Sequence, residues 1–293
     1  MKFELDIIRF LQRGSNGFTD FLGEAVSLLG TEFLFLAVAV LLYWCIDKRY
    51  AHRFFNVYII GVAVVNFMKF GFRRTRPYNF EGIKSIGDPE PTYSFPSGHS
   101  GSVSSIATLL TVKYGKKYIA IPIIGAIVTL LVMLSRMFLG QHYLSDVFCG
   151  LTVGVFCAIA FNALLSFFGD KEEWFAVVTV ALSALIVGLF FGLGIEDSAS
   201  GNDVLKGIGA AVAFDIGYFI EKRYVRYDVA KNRKWWKCLI RVVLGAGVAI
   251  AVQQGFKLFL PESIPMLYCF MRYFIMALWA ALACPAIFKG LKL

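Results

Sequence analysis

This 293-residue sequence has little charge. Asp, Glu, Lys and Arg together make up 17% of it, and histidine occurs three times. Hydrophobic residues reach 58% and the mean hydropathy is +0.67. Apolar runs repeatedly approach the roughly 20 residues that cross a bilayer, so the composition excludes an ordinary soluble domain and implies a polytopic membrane protein. A C-x-x-C pair is also missing. The cysteines (Cys45, Cys149, Cys157, Cys238, Cys269, Cys284) fall in or beside apolar runs without metal-ligand spacing, and they read as small core hydrophobes. No low-complexity tract or internal repeat stands out, and no cleavable signal peptide is expected. The first residues mix Lys2, Glu4, Asp6, Arg9 and Arg13 with Phe3, Ile7 and Leu11 at helical spacing, the pattern of an amphipathic helix lying in the membrane interface.

What is present is a series of apolar segments near 29–46, 53–71, 98–114, 118–136, 143–168, 174–195, 204–220, 238–259 and 266–288. These predict an all-α transmembrane bundle of about nine spans. The predicted organisation is an amphipathic interfacial segment (1–28), a catalytic helical core (29–168) and a four-span extension of unassigned role (169–293). The formal charge is +9, with 29 basic against 20 acidic residues. Much of the basic excess lies in alternate connections: Lys48 to Arg53, Lys113 with Lys116 and Lys117, and Lys222 to Lys237. The positive-inside rule makes these loops cytoplasmic, which accounts for the charge without invoking nucleic acid. His52 falls in such a basic connection and receives no role. Asp170-Lys171-Glu172-Glu173 breaks the pattern, although acidic residues weigh little in that rule.

Three stretches carry the chemistry: Lys69 to Pro77, Pro96 to His99, and Ser135 to Asp146. By the loop count all three fall on the outer face. Ser97 stands where a helix N-cap is expected, and a helix N-terminus offers free N–H groups and partial positive charge to an anion, with His99 in its first turn. His142 and Asp146, four residues apart, are expected on one helical face, where the carboxylate can fix the imidazole tautomer and leave the other nitrogen free as a nucleophile. Arg136 reaches the same space across a turn at Gly140. Lys69 and Arg76 alone would be ordinary cations at a membrane boundary. Taken with Arg136, they make a seat for a dianionic phosphoryl group that needs no metal to balance its charge.

Lys69 with six residues to Arg76-Pro77, then Pro96-Ser97-Gly98-His99, then Ser135-Arg136 with five residues to His142 and three more to Asp146, resembles the full tripartite signature of the type 2 phosphatidic acid phosphatases, over roughly residues 20 to 168. The resemblance implies that His142 attacks phosphorus to form a phosphohistidine, with Asp146 orienting it. It implies that His99 protonates the leaving oxygen and then activates water, and that Lys69, Arg76, Arg136, the Ser97 hydroxyl and the Gly98 N–H bind the phosphoryl oxygens. No metal site and no cofactor are implied. The expected partners are a membrane lipid phosphate as substrate and the bilayer itself. No nucleic acid is expected, and a homo-oligomer is left open.

Asp215, Lys257 with Gln253 and Gln254, and Arg272 are costly inside a membrane and so are candidates for function by default. Lys257 and Arg272 are candidate headgroup contacts, or partners for Glu196 and Asp197. The expected activity is metal-independent hydrolysis of a lipid phosphate or diphosphate at the external face of the cell membrane. Two alternatives stand beside it. One is a phosphotransferase that passes the phosphate to a lipid or sugar hydroxyl, and the other is a lipid transporter or binding scaffold.

Overall fold

The computed structural model describes residues 2–167, 169, 177–181, 185, 199–230, 234–259 and 265–293, and among them the secondary structure is helical with no strand. The helices are α1 (Lys2–Gln12), α2 (Gly17–Ser27), α3 (Glu32–Leu41), α4 (Lys48–Phe72), α5 (Gly98–Tyr114), α6 (Ala120–Phe138), α7 (Leu144–Phe167), α8 (Ala199–Ile220), α9 (Trp235–Phe259), α10 (Pro265–Leu278) and α11 (Cys284–Gly290). Among the described residues, five helices are long and apolar enough to cross a membrane. The count is six if α2 and α3, bent by 47° at the intervening turn, form one span.

The difference from the nine expected spans has physical causes. The segment expected at 98–114 is α5, whose 17 residues are short for a span. The segment at 204–220 lies in α8, where Asp203, Lys206 and Asp215 interrupt the apolar run. The segment at 174–195 falls mostly outside the described residues. The multi-pass character stands on α4, α6, α7, α9 and the stretch Phe270–Gly290.

The chain divides into two compact units, Met1–Leu36 with Ile60–Ala163, and Ala37–Ile59 with Leu164–Leu293. In the first, α2 starts with a capping box: the Asn16 side chain accepts from the backbone N–H of Phe18 and Thr19 while Thr19 Oγ1 accepts from Asn16 N–H. Helix α1 lies along α6 with Leu5 and Ile8 inserted into a cluster of Ile83, Met133, Met137, Tyr143 and Val147. One side of the amphipathic helix is therefore covered by protein, while Phe3 and Phe10 face outward.

In the second unit, His52 is not in a basic loop. Helix α4 begins at Lys48, and His52 is buried on it with Nε2 2.7 Å from Asp215 Oδ1 and its ring stacked 4.0 Å from that of Tyr218. Asn56 Nδ2 donates to the same carboxylate oxygen at 2.8 Å. Asp215 thus has partners within the unit, as does the buried Glu221, which accepts from Lys48 Nζ. Cys45, Cys157 and Cys284 are buried thiols.

Candidate active site

Four helix ends meet at one end of the first unit, and small residues bring two of them into contact. A Cβ at Gly150 of α7 would strike the Ser97 carbonyl oxygen. One at Gly154 would strike Ser104 Oγ and the Gly101 carbonyl oxygen of α5. The two backbones approach as closely as glycine allows, and helix association in a membrane relies on such packing. Ser97 N–H donates to the Asp146 carbonyl at 3.0 Å, tying the start of α5 to the start of α7. Ser97 is the N-cap of α5, its Oγ accepting from Ser100 N–H. At the end of α6 the chain turns through Gly140 at φ +72°, where a Cβ would strike the Lys84 carbonyl. His142 N–H then folds back to the Arg136 carbonyl at 3.2 Å.

This arrangement gathers the three cations expected to form the seat, each buried. Lys69, in the last turn of α4, donates from Nζ to Thr92 Oγ1 at 2.9 Å, and its ammonium lies beside Gly98. Arg76 donates from Nε to the Thr92 carbonyl (2.7 Å) and from Nη1 to the Gln141 carbonyl (3.0 Å); Nη1 is also 3.3 Å from His142 Nε2. Arg136 donates from Nη1 to Ser27 Oγ (2.8 Å) and from Nη2 to Glu90 Oε1 (2.9 Å).

His142 is 1% exposed. Burial, then the charges of Arg76, Arg136 and Lys69, hold its ring well below the ordinary histidine value and so in the neutral, nucleophilic form. Its Nδ1 is 3.5 Å from Asp146 Oδ2 and has no closer hydrogen-bond partner. The pair does not share a helical face, because α7 begins at Leu144. Asp146, in the first turn, accepts the Tyr143 backbone N–H at 2.9 Å, as the third residue of a capping box does, and His142 stands just ahead of the helix. His99, in the first turn of α5, is 17% exposed and presents Nδ1 3.8 Å from Glu90 Oε1.

Eight expected site residues therefore converge: Lys69, Arg76, Ser97, Gly98, His99, Arg136, His142 and Asp146. The two candidate headgroup contacts belong to the second unit. Lys257 lies on α9, with its side chain outside the described residues. The Arg272 guanidinium sits over the rings of Tyr268 and Tyr273, at 5.5 and 5.0 Å. Glu196 and Asp197, the acids suggested as their partners, also lie outside the described residues. Among the described residues, no group of three or more His, Cys, Asp or Glu is placed to hold a metal ion.

Several contributors were not legible from the motifs. Arg74 Nη1 donates to Asp146 Oδ1 and to Ser145 Oγ, both at 2.6 Å, while Nη2 donates to Glu4 Oε2 at 2.9 Å. Ser94 Oγ donates a very short bond to Asp146 Oδ2. Glu90 and Thr92 enter the cation cluster from the irregular loop between α4 and α5. Their one sequence signal is Pro89-Glu90-Pro91, a carboxylate whose backbone is restricted by proline on both sides.

Comparison with known proteins agrees with this geometry. Residues 50–170 match the PAP2 superfamily, and residues 205–293 match the transmembrane extension of PAP2 superfamily phosphatases. An undecaprenyl-diphosphatase of Sulfolobus acidocaldarius is 31% identical over 131 residues, 44% of this chain and 62% of that protein. The sphingosine-1-phosphate phosphatase 1 of Mus musculus is 25% identical over 252 residues, 78% of this chain and 57% of that protein. The chain thus spans less than two thirds of the length of either relative. Among solved structures, Aquifex aeolicus LpxE is similar at 23% identity, over 54% of this chain and 94% of that one, with a TM-score of 0.47. With a family match over the helices that bear the site and a second over the helices that follow, the chain belongs to the PAP2 superfamily and carries that superfamily's transmembrane extension.

Proposed function

We propose that the protein hydrolyses a lipid phosphate or diphosphate through a phosphohistidine, without a metal, at the external face of the cell membrane. The observation that carries this reading is the neutral His142 ring, with Nε2 beside the Arg76 guanidinium in a buried seat shared with Lys69 and Arg136. In that seat Nε2 attacks phosphorus, the bond to the leaving oxygen breaks, and His99 delivers the proton; burial and the charge of Arg136 hold His99 at about 3 in the resting site, so it takes up that proton once the phosphoryl anion is bound. His99 then takes a proton from water, which releases phosphate from His142. Three cations supply charge stabilisation of the kind that removes several kcal/mol from a phosphoryl-transfer barrier. Both relatives, an undecaprenyl-diphosphatase and a sphingosine-1-phosphate phosphatase, are lipid phosphatases by name, which supports the substrate class. The lysine and arginine excess of the alternate loops supports the external placement.

The test is phosphate release by the purified full chain in detergent, with chelator present, from a panel of lipid phosphates and diphosphates. His142→Ala is expected to lower the rate at least about 1000-fold, as loss of a nucleophile does. Equal rates for the two proteins, or full dependence of the wild type on added metal, would sink the reading.

A further inference from the structure

We infer that Glu90 is a specificity-determining residue of the site: its carboxylate occupies the anion seat at rest, and a substrate phosphoryl group must displace it to bind. This rests on the proposal that Lys69, Arg76 and Arg136 receive a phosphoryl group.

The seat at rest holds three buried cations, and buried charges persist only with partners. Glu90 is a carboxylate that meets two of them, Arg136 and Arg76. Its Oε1 lies 2.9 Å from Arg136 Nη2 and 3.8 Å from His99 Nδ1, and its Oε2 lies 3.7 Å from Arg76 Nη2. Burial would raise the pKa of this carboxyl, but the positive charge around it, that of Arg136 first and those of Arg76 and Lys69 with it, outweighs burial and holds the group at about 2. At neutral pH the group is therefore an anion among donors that a phosphoryl group would use. Each terminal nitrogen of Arg136 already donates one hydrogen bond, one to Ser27 and one to Glu90.

Glu90 also has the means to leave. Its main chain is anchored, with the carbonyl accepting from Tyr78 Oη at 3.2 Å and the N–H donating to Gln141 Oε1 at 3.4 Å. Its side chain is 30% exposed, so a change of rotamer clears the seat while the loop stays in place. The exchange favours a dianionic phosphoryl group, which brings more charge and more acceptor oxygens than the carboxylate it replaces. A singly charged ester brings no such advantage.

Inorganic phosphate is the probe, used with the full chain in detergent as a competitive inhibitor of hydrolysis and as a stabilising ligand in thermal melts. Glu90→Gln keeps the shape and removes the charge, and Glu90→Ala removes both. In each variant the phosphate inhibition constant and the concentration giving half-maximal stabilisation are expected to fall about tenfold, the equivalent of 1.4 kcal/mol. A fall of threefold or more supports the inference; values within threefold of wild type, or higher, overturn it, including when kcat alone has dropped. Should a variant lack a melting transition, its recovery on adding phosphate supports the inference, and continued absence counts against it. A wild type that releases no phosphate would instead remove the proposed enzymatic reading, while the melts would still report whether Glu90 competes with phosphate.

Discussion

At the scale of single residues, the site is decided by what holds each charge rather than by which charges are present. Asp146 is 3.5 Å from the His142 ring but 2.6 Å from Arg74, whose guanidinium also stacks 3.9 Å from the Tyr143 ring and reaches Glu4. On the proposed mechanism, Arg74 is a positioning residue that acts through Asp146. Replacing it with Ala is expected to lower kcat on the order of 100-fold with KM little changed, because misplacing a catalytic group by about 1 Å can cost that much. Arg74→Lys should recover part of the loss, since it restores the charge but not the forked contact to two carboxylates. Steady-state kinetics on a lipid phosphate checks this, and a raised KM at unchanged kcat would assign Arg74 to substrate binding instead.

At the scale of elements, the joint between α5 and α7 sets the distance between the two histidines. Gly150 is in contact with Ser97, the N-cap of the helix that bears His99, and sits four residues after Asp146 on its own helix. Gly150→Ala forces the two starts apart and should cost about 1–3 kcal/mol of stability, the usual range for overpacking. A larger fractional loss of kcat than a neutral surface substitution produces is expected alongside it. Thermal melts with parallel assays read both effects, and a variant unchanged in both would show that α5 can yield at Ser97 without consequence. The motifs disclosed the helix starts at Ser97 and near Asp146, because capping chemistry is local. They did not disclose that His142 lies ahead of α7, since that follows from Asp146 accepting the Tyr143 N–H and setting the boundary there.

At the scale of the whole molecule, the chain divides its buried polar groups between two compact units. The first holds the cation seat. The second buries His52, Asn56 and Asp215 in one hydrogen-bonded cluster, and Glu221 with Lys48 in another. Both contacts to Asp215 fall on Oδ1, and removal of one partner leaves the buried carboxylate with a single one. His52→Ala should destabilise the second unit by roughly 3–5 kcal/mol, the range for breaking a buried pair. Unfolding in a denaturing detergent series measures it, and a shift below about 1 kcal/mol would show that Asp215 finds other partners readily.

The sequence by itself determined the membrane character, the start of α5 at Ser97, and the identity of the three cations, two histidines and the carboxylate at the candidate site. Each of these is written in composition, helix capping or short-range spacing. Only the tertiary structure decided that Arg74 and Glu4 hold Asp146, that Glu90 faces the seat, and that His52 meets Asp215. Those contacts, Glu90 with Arg136, Glu4 with Arg74, Arg74 with Asp146 and His52 with Asp215, join residues 46 to 163 positions apart, and no local periodicity encodes them.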